Sequence, residues 1–207
     1  SFQDYLEEVA RKVLSSKTDV LGEEKYKDGK VEKDSIDIIL SQEKGVLFVE
    51  AKAKRMQTKS KSQFIADSAI EDDLEILADA VVQIYQTIED YKRNLYPHFE
   101  YKAEKNIYPL IVTLEEWYLL GEDLENLKQK AKKKLKEKGL EEEIIEEFPF
   151  TLCSAEKFEC LVQILNNHTV EDILKEWFPL QKAGHDFGNH IVKTYKNECK
   201  YIDEYFP

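Results

Sequence analysis

Long apolar runs are missing from this chain: no stretch approaches the roughly 20 residues that a membrane-spanning helix needs. The opening SFQDYLEEVARKVL has neither the basic flank nor the hydrophobic block of a signal peptide. Together these absences predict a soluble, cytoplasmic protein with no membrane partner, although an opening Ser1 rather than Met leaves room for a longer natural chain. Cysteine is scarce. The three that occur, Cys153, Cys160 and Cys199, are odd in number and lack metal-ligand spacing, which predicts free or buried thiols in a reducing compartment. The histidines His98, His168, His185 and His190 offer no metal pair, since the nearest two are five positions apart. A Gly-rich phosphate loop, a dinucleotide fingerprint, a nucleophilic triad, internal repeats and low-complexity linkers are all absent. Positive charge is also in deficit, with 30 Lys and Arg against 42 Asp and Glu for a net charge of −12, which argues against a general nucleic-acid binder.

What is present is a chain of 207 residues, 42% hydrophobic and 11% aromatic, enough for one sizeable core and a single domain over 1–207. Its most informative stretch is Lys33 to Lys54, KDSIDIILSQEKGVLFVEAKAK, which reads as two strands joined by a turn at Ser41 to Gly45. In the first strand Ile36, Ile38 and Leu40 form one row, with Asp37 on the opposite face. The second strand puts Val46, Phe48, Glu50 and Lys52 on one face and Leu47, Val49, Ala51 and Ala53 on the other, the near-continuous apolar pattern of a strand covered on both sides. Ionisable groups at a buried strand end are costly, so they pair with each other or bind something. Two carboxylates on adjacent strands suit Mg²⁺, a hard cation that takes oxygen ligands and activates water, and a lysine beside them can orient that water and offset charge on a phosphate under attack.

Asp37 followed by Glu50-Ala51-Lys52 resembles the motif of the PD-(D/E)xK nuclease superfamily, with Ile36 where the name of the motif has Pro. The resemblance implies a restriction-endonuclease-like α/β fold, a central mixed sheet flanked by helices, and a metal-dependent nuclease, an endonuclease, hydrolysing phosphodiester bonds of DNA or RNA in defence or nucleic-acid processing. It implies that Asp37 and Glu50 bind Mg²⁺, or Mn²⁺ in its place, that the Ala51 carbonyl completes the coordination, and that Lys52 serves the water. Glu7, on a first helix from Phe2 to Leu14, matches a further glutamate that the superfamily often brings to the metal. DNA is the preferred partner over RNA, and a homodimer or a partner subunit is in keeping with restriction members. The contrasting reading is a nuclease-fold subunit that binds or scaffolds without cutting, which the net charge favours. The likeness covers a nuclease-like core over 1–120, leaving 121–207 as a mostly helical elaboration with one short strand.

Directly after the motif, AKAKRMQTKSKSQFIA carries Lys54, Arg55, Lys59 and Lys61 and no acid, so these are candidate nucleic-acid contacts. Thr18 to Val31, with a Lys27-Asp28-Gly29-Lys30 turn, predicts a hairpin. Apolar residues spaced alternately four and three from Ile70 to Leu95 predict a long core-facing helix, with a dimer seam as the lesser alternative. On that helix Gln83, Tyr85 and Gln86 resemble a Gln/Tyr-bearing helix of RecB-like nucleases, but no tyrosine follows either glutamine by four, so they stand only as supports for the site. Asn106 to Leu114 reads as a strand, at an edge or at its start because of Pro109. Leu124 to Lys138 is a lysine-rich helix expected to face solvent. Phe148 to Cys153 is a short strand, helices start near Ser154 and Thr169, and a last helix spans Asp186 to Tyr205.

Overall fold

The computed structural model describes residues 1–54, 67–117, 119 and 121–200. Helix α1 (Phe2–Val13) comes first, its first turn capped by the Ser1 side chain, which accepts from the Asp4 N–H. Strands β1 (Asp19–Gly22), β2 (Lys25–Asp28), β3 (Val31–Asp34), β4 (Ile38–Ser41) and β5 (Gly45–Lys52) follow, then the long helix α2 (Asp67–Lys92) and strand β6 (Asn106–Thr113). Helices α3 (Glu122–Glu137) and α4 (Ile144–Glu147) lead to strand β7 (Thr151–Ser154), and α5 (Ala155–Ile164), α6 (Val170–Lys182) and α7 (Phe187–Thr194) close the order. Among the described residues five strands form one sheet in the order β1-β4-β5-β6-β7, while β2 and β3 make a separate two-stranded ribbon. The pairs β1–β4 and β4–β5 are antiparallel, whereas β5–β6 and β6–β7 are parallel. The change of sense follows from the connections: a tight turn, with the Gln42 N–H donating to the Gly45 carbonyl, joins β4 to β5, and a helical crossover joins β5 to β6.

Each face of the sheet has its own helical cover. Val46 and Phe48 of β5 and Ile111 of β6 pack under α2 and α3, while Leu47 and Val49 of β5 and Leu110 and Val112 of β6 pack under α1, α5 and α6. That double cover is why β5 reads as an unbroken apolar run, and each such side chain contributes about 1.5–3 kcal/mol on burial. The α2 seam faces inward: Leu77, Val81, Ile84, Ile88 and Tyr91 are fully buried within one protomer, so core packing accounts for it. Helix α3 presents Lys133 and Lys136 to solvent as expected, while three of its other lysines are partnered. Lys130 pairs with Glu71 and Glu75, Lys134 with Glu75 and Asp79, and Lys132 with Glu146, which ties α3 to α2 and α4.

The β2–β3 ribbon is fastened to the end of α2 by charge. Asp90, 7% exposed at its side chain, accepts from Tyr26 Oη at 2.6 Å, Lys33 Nζ at 2.8 Å and Arg93 Nη1 at 3.2 Å. Arg93 and Lys33 also reach Asp28, and their hydrogen bonds hold its carboxyl down at about 2. Asp90→Ala strips Lys33, Arg93 and Tyr26 of a shared acceptor. Chemical denaturation should show a loss of about 2–4 kcal/mol, below the full cost of breaking a buried pair because Lys33 and Arg93 keep access to water. A loss under about 1 kcal/mol would mean that the ribbon is held by its apolar contacts.

Several expectations need correction. Ile36 and Ile38 do not share a face, because the chain bends at Asp37 and sends Ile36 to the α2 side with Ile39 while Ile38 and Leu40 face α1. Pro109 lies in an interior strand rather than at an edge. Pairing with β7 starts only at Leu110, so Pro109 precedes the stretch flanked on both sides. Strand β7, which lies in 121–207, pairs with β6 in the same sheet. Among the described residues the last helix ends at Thr194, with Asp186 capping its start, and the expected extension to Tyr205 lies partly outside them. Cys160 and Cys199 are joined in a disulfide rather than free, leaving Cys153 buried.

Candidate active site

The antiparallel ladder of β4 and β5 ends at the pair Ile38 and Val49, and one further step sets Asp37 against Glu50. At that step Asp37 is 8% exposed, and its Oδ2 accepts from the Ala51 N–H at 2.6 Å. Glu50 is 1% exposed, with Oε1 at 2.5 Å from Lys52 Nζ. Its other oxygen, Oε2, is buried and has no hydrogen-bonding partner among the described residues. Lys52 points the same way two residues on, is one quarter exposed, and donates to Gln83 Oε1 of α2 at 3.4 Å. The structure thus brings Asp37, Glu50, Ala51 and Lys52 together at the carboxyl end of β5, where a buried acid opens toward water through its lysine.

Electrostatics at this point strain toward neutralisation. Burial raises the Asp37 carboxyl despite the Ala51 N–H and the nearby Lys52 ammonium, which both act to lower it. Burial, and then the charge of Asp37, push Glu50 up to about 7, with Lys52 opposing. Two carboxylates forced together in a dry place favour a proton or a cation between them. The donor set fits a hard dication: an orphaned buried carboxylate oxygen, a second carboxylate beside it, and the Ala51 carbonyl, which in an extended strand faces the same side as the Ala51 N–H that Asp37 holds. Among the described residues no group of three or more His, Cys, Asp or Glu side chains is arranged to hold one ion, so the direct set comprises two acids and a carbonyl.

Other candidates fall in different places. Glu7 pairs with Arg11 at 2.7 Å and lies over Gly22, where a Cβ would stand 2.6 Å from its carboxylate oxygens. It packs on the α1 side of β1, whereas Glu50 shares the α2 side with Phe48, so Glu7 does not join the pair. Gln83 supports Lys52, whereas Tyr85 is buried and donates to the Phe148 carbonyl away from the site. Lys54 is half-buried just beyond β5. Arg55, Lys59 and Lys61 lie outside the described residues. His168 pairs with Glu198. Sequence reasoning missed Glu23, whose charge acts on both Asp37 and Glu50 and which accepts from Gln3 at 3.2 Å.

The chain is a mixed α/β protein whose five-stranded mixed sheet is flanked by helices, consistent with a restriction-endonuclease-like fold. No family model matches it, and no curated protein sequence matches it. Among solved structures it is similar to the small subunit (R.BspD6I2) of the heterodimeric restriction endonuclease R.BspD6I, with 17% sequence identity and a TM-score of 0.46 over 96% of this chain and 89% of that one. At that distance, function has to be read from the residues of the site. No helix among the described residues is long and apolar enough to cross a membrane.

Proposed function

We propose that the chain is a Mg²⁺-dependent nuclease that hydrolyses phosphodiester bonds, DNA more readily than RNA, in a cytoplasmic defence or processing role. Asp37 and Glu50 are its carboxylate ligands, and the Ala51 carbonyl adds a third oxygen. The observation that supports this reading is Glu50 Oε2, a buried oxygen without a partner among the described residues, beside a second carboxylate. Mg²⁺, or Mn²⁺ in its place, supplies Lewis acidity when bound, lowering the pKa of water and offsetting charge on the phosphate. Asp37 keeps its orientation through the Ala51 N–H. Lys52 holds an ammonium proton at the mouth of the site, where it can orient the attacking water and meet charge developing on the phosphoryl oxygens. Gln83 gives Lys52 a second partner when Glu50 turns to a cation. Lys54, Arg55, Lys59 and Lys61 follow the motif strand in the chain and are the proposed backbone contacts.

A second reading, a nuclease-fold subunit that binds or scaffolds without cutting, as a homodimer or beside a partner subunit, is favoured by the net charge of −12 and by the pairing of Lys130, Lys132 and Lys134 with acids of the same chain. Incubation with single- and double-stranded DNA and RNA in Mg²⁺, Mn²⁺ or chelator separates the two. The nuclease reading expects cleavage that needs the divalent ion and falls about 10²–10³-fold in Lys52→Ala. Binding without cleavage in either metal selects the subunit reading, and neither binding nor cleavage removes both.

A further inference from the structure

Both antiparallel ladders that meet at β4 run out at the same residue. β1 pairs with β4 up to Gly22 and Ile38, and β4 pairs with β5 from Ile38 and Val49. One step beyond, the ends of three neighbouring segments carry a row of acids, Glu23, Asp37 and Glu50. Glu23 follows the last paired residue of β1, and its charge acts on both Asp37 and Glu50. Glu23 is exposed at the solvent end of the row, and Gln3 of α1 holds its Oε2 at 3.2 Å. Lys52 pairs with the innermost, Glu50, whose other oxygen is buried with no partner among the described residues. The three acids do not together form a group that could hold one ion directly. A small, strongly hydrated dication does not require that, since it keeps several waters and is bound by one or two carboxylates with further acids reaching its water shell.

We propose that Glu23 is a third acid of the site, a positioning residue that holds, through bridging water, the divalent cation that Asp37 and Glu50 ligate. This rests on the metal-binding reading above. Mn²⁺ binding to the full chain, followed by calorimetry and by the electron paramagnetic resonance of the bound ion, tests it without nucleic acid. Glu23→Gln should weaken Mn²⁺ affinity about tenfold while leaving the metal-free melting temperature unchanged, because the side chain is exposed. Asp19→Asn, an exposed acid at the far end of β1, should leave affinity within about twofold of wild type. If wild type binds Mn²⁺ and Glu23→Gln binds it equally well, or if Asp19→Asn weakens it as much, the role of Glu23 falls and the metal site stands. If wild type binds no Mn²⁺ and Asp37→Asn behaves identically, the metal site falls, and Glu23 with it.

Discussion

Asp37→Asn should reduce divalent-dependent cleavage by about three orders of magnitude or more while the protein stays folded. The substitution is chosen because an amide oxygen can still accept the Ala51 N–H, so the bend before β4 keeps its anchor. What is lost is charge: one of two carboxylates against which a dication would sit. Losing a single electrostatic contact at a reacting centre costs about 10²–10³-fold, and losing a metal ligand removes water activation as well. Initial rates on DNA in Mg²⁺, with circular dichroism to confirm folding, measure the effect. Asp37→Ala should be as inactive and also less stable, since the Ala51 N–H then loses its partner. Cleavage by Asp37→Asn within tenfold of wild type would place the chemistry elsewhere on the protein.

The second large effect concerns stability. Glu50 ordinarily titrates at 4.5, but in the fold burial and the charge of Asp37 push it up to about 7. Below its unfolded value both states hold the proton, and the stability linked to it is fully present. As pH rises the unfolded chain ionises first, and the contribution is lost through about 7, where the folded carboxyl finally gives up its proton. The difference amounts to about 3 kcal/mol at alkaline pH. Glu50→Gln carries no such burden. Without metal it should therefore be more stable than wild type by about 2–3 kcal/mol at pH 8, the advantage disappearing by about pH 4. Saturating Mg²⁺ should reverse the order at pH 8, because binding stabilises the native state of wild type and has nothing comparable to hold in the variant. Urea titrations at the two pH values, with and without Mg²⁺, give the measurement. A stability difference independent of pH would mean that Glu50 is not held in a charge-averse environment.

The parts of the molecule governed by local pattern were legible in the sequence. The two faces of β5, the hairpin turn at Gly29, the inward stripe of α1 and the Thr169 cap of α6 all follow from periodicity or from one side chain meeting a backbone N–H nearby. The meeting of Asp37 with Glu50 and Lys52 belongs to the same class, since two adjacent strands and a short turn determine it. What lay outside the pattern is set by distant partners. β1 pairs with β4 across an intervening ribbon, which brings the end of β1, and Glu23 after it, to the segment that carries Asp37. The alternation around Ile36 fails because the Asp37 side chain binds the Ala51 backbone and the chain bends there, a cost visible only once the partner strand is in place. Pro109 could sit inside the sheet because β7, contributed some forty residues later in the chain, starts one position beyond it. The disulfide between Cys160 and Cys199 likewise joins segments 39 residues apart.

One consequence of the way α3 is docked concerns any polyanion that approaches that face. Lys130, Lys132 and Lys134 are already matched with carboxylates of the same protein. A phosphate backbone lying there would first have to evict those groups, exchanging one anion for another with little net gain. The acids of α2 and α4 act as resident competitors, so these three lysines are poor ground for a visiting nucleic acid, whereas Lys133 and Lys136 stay exposed.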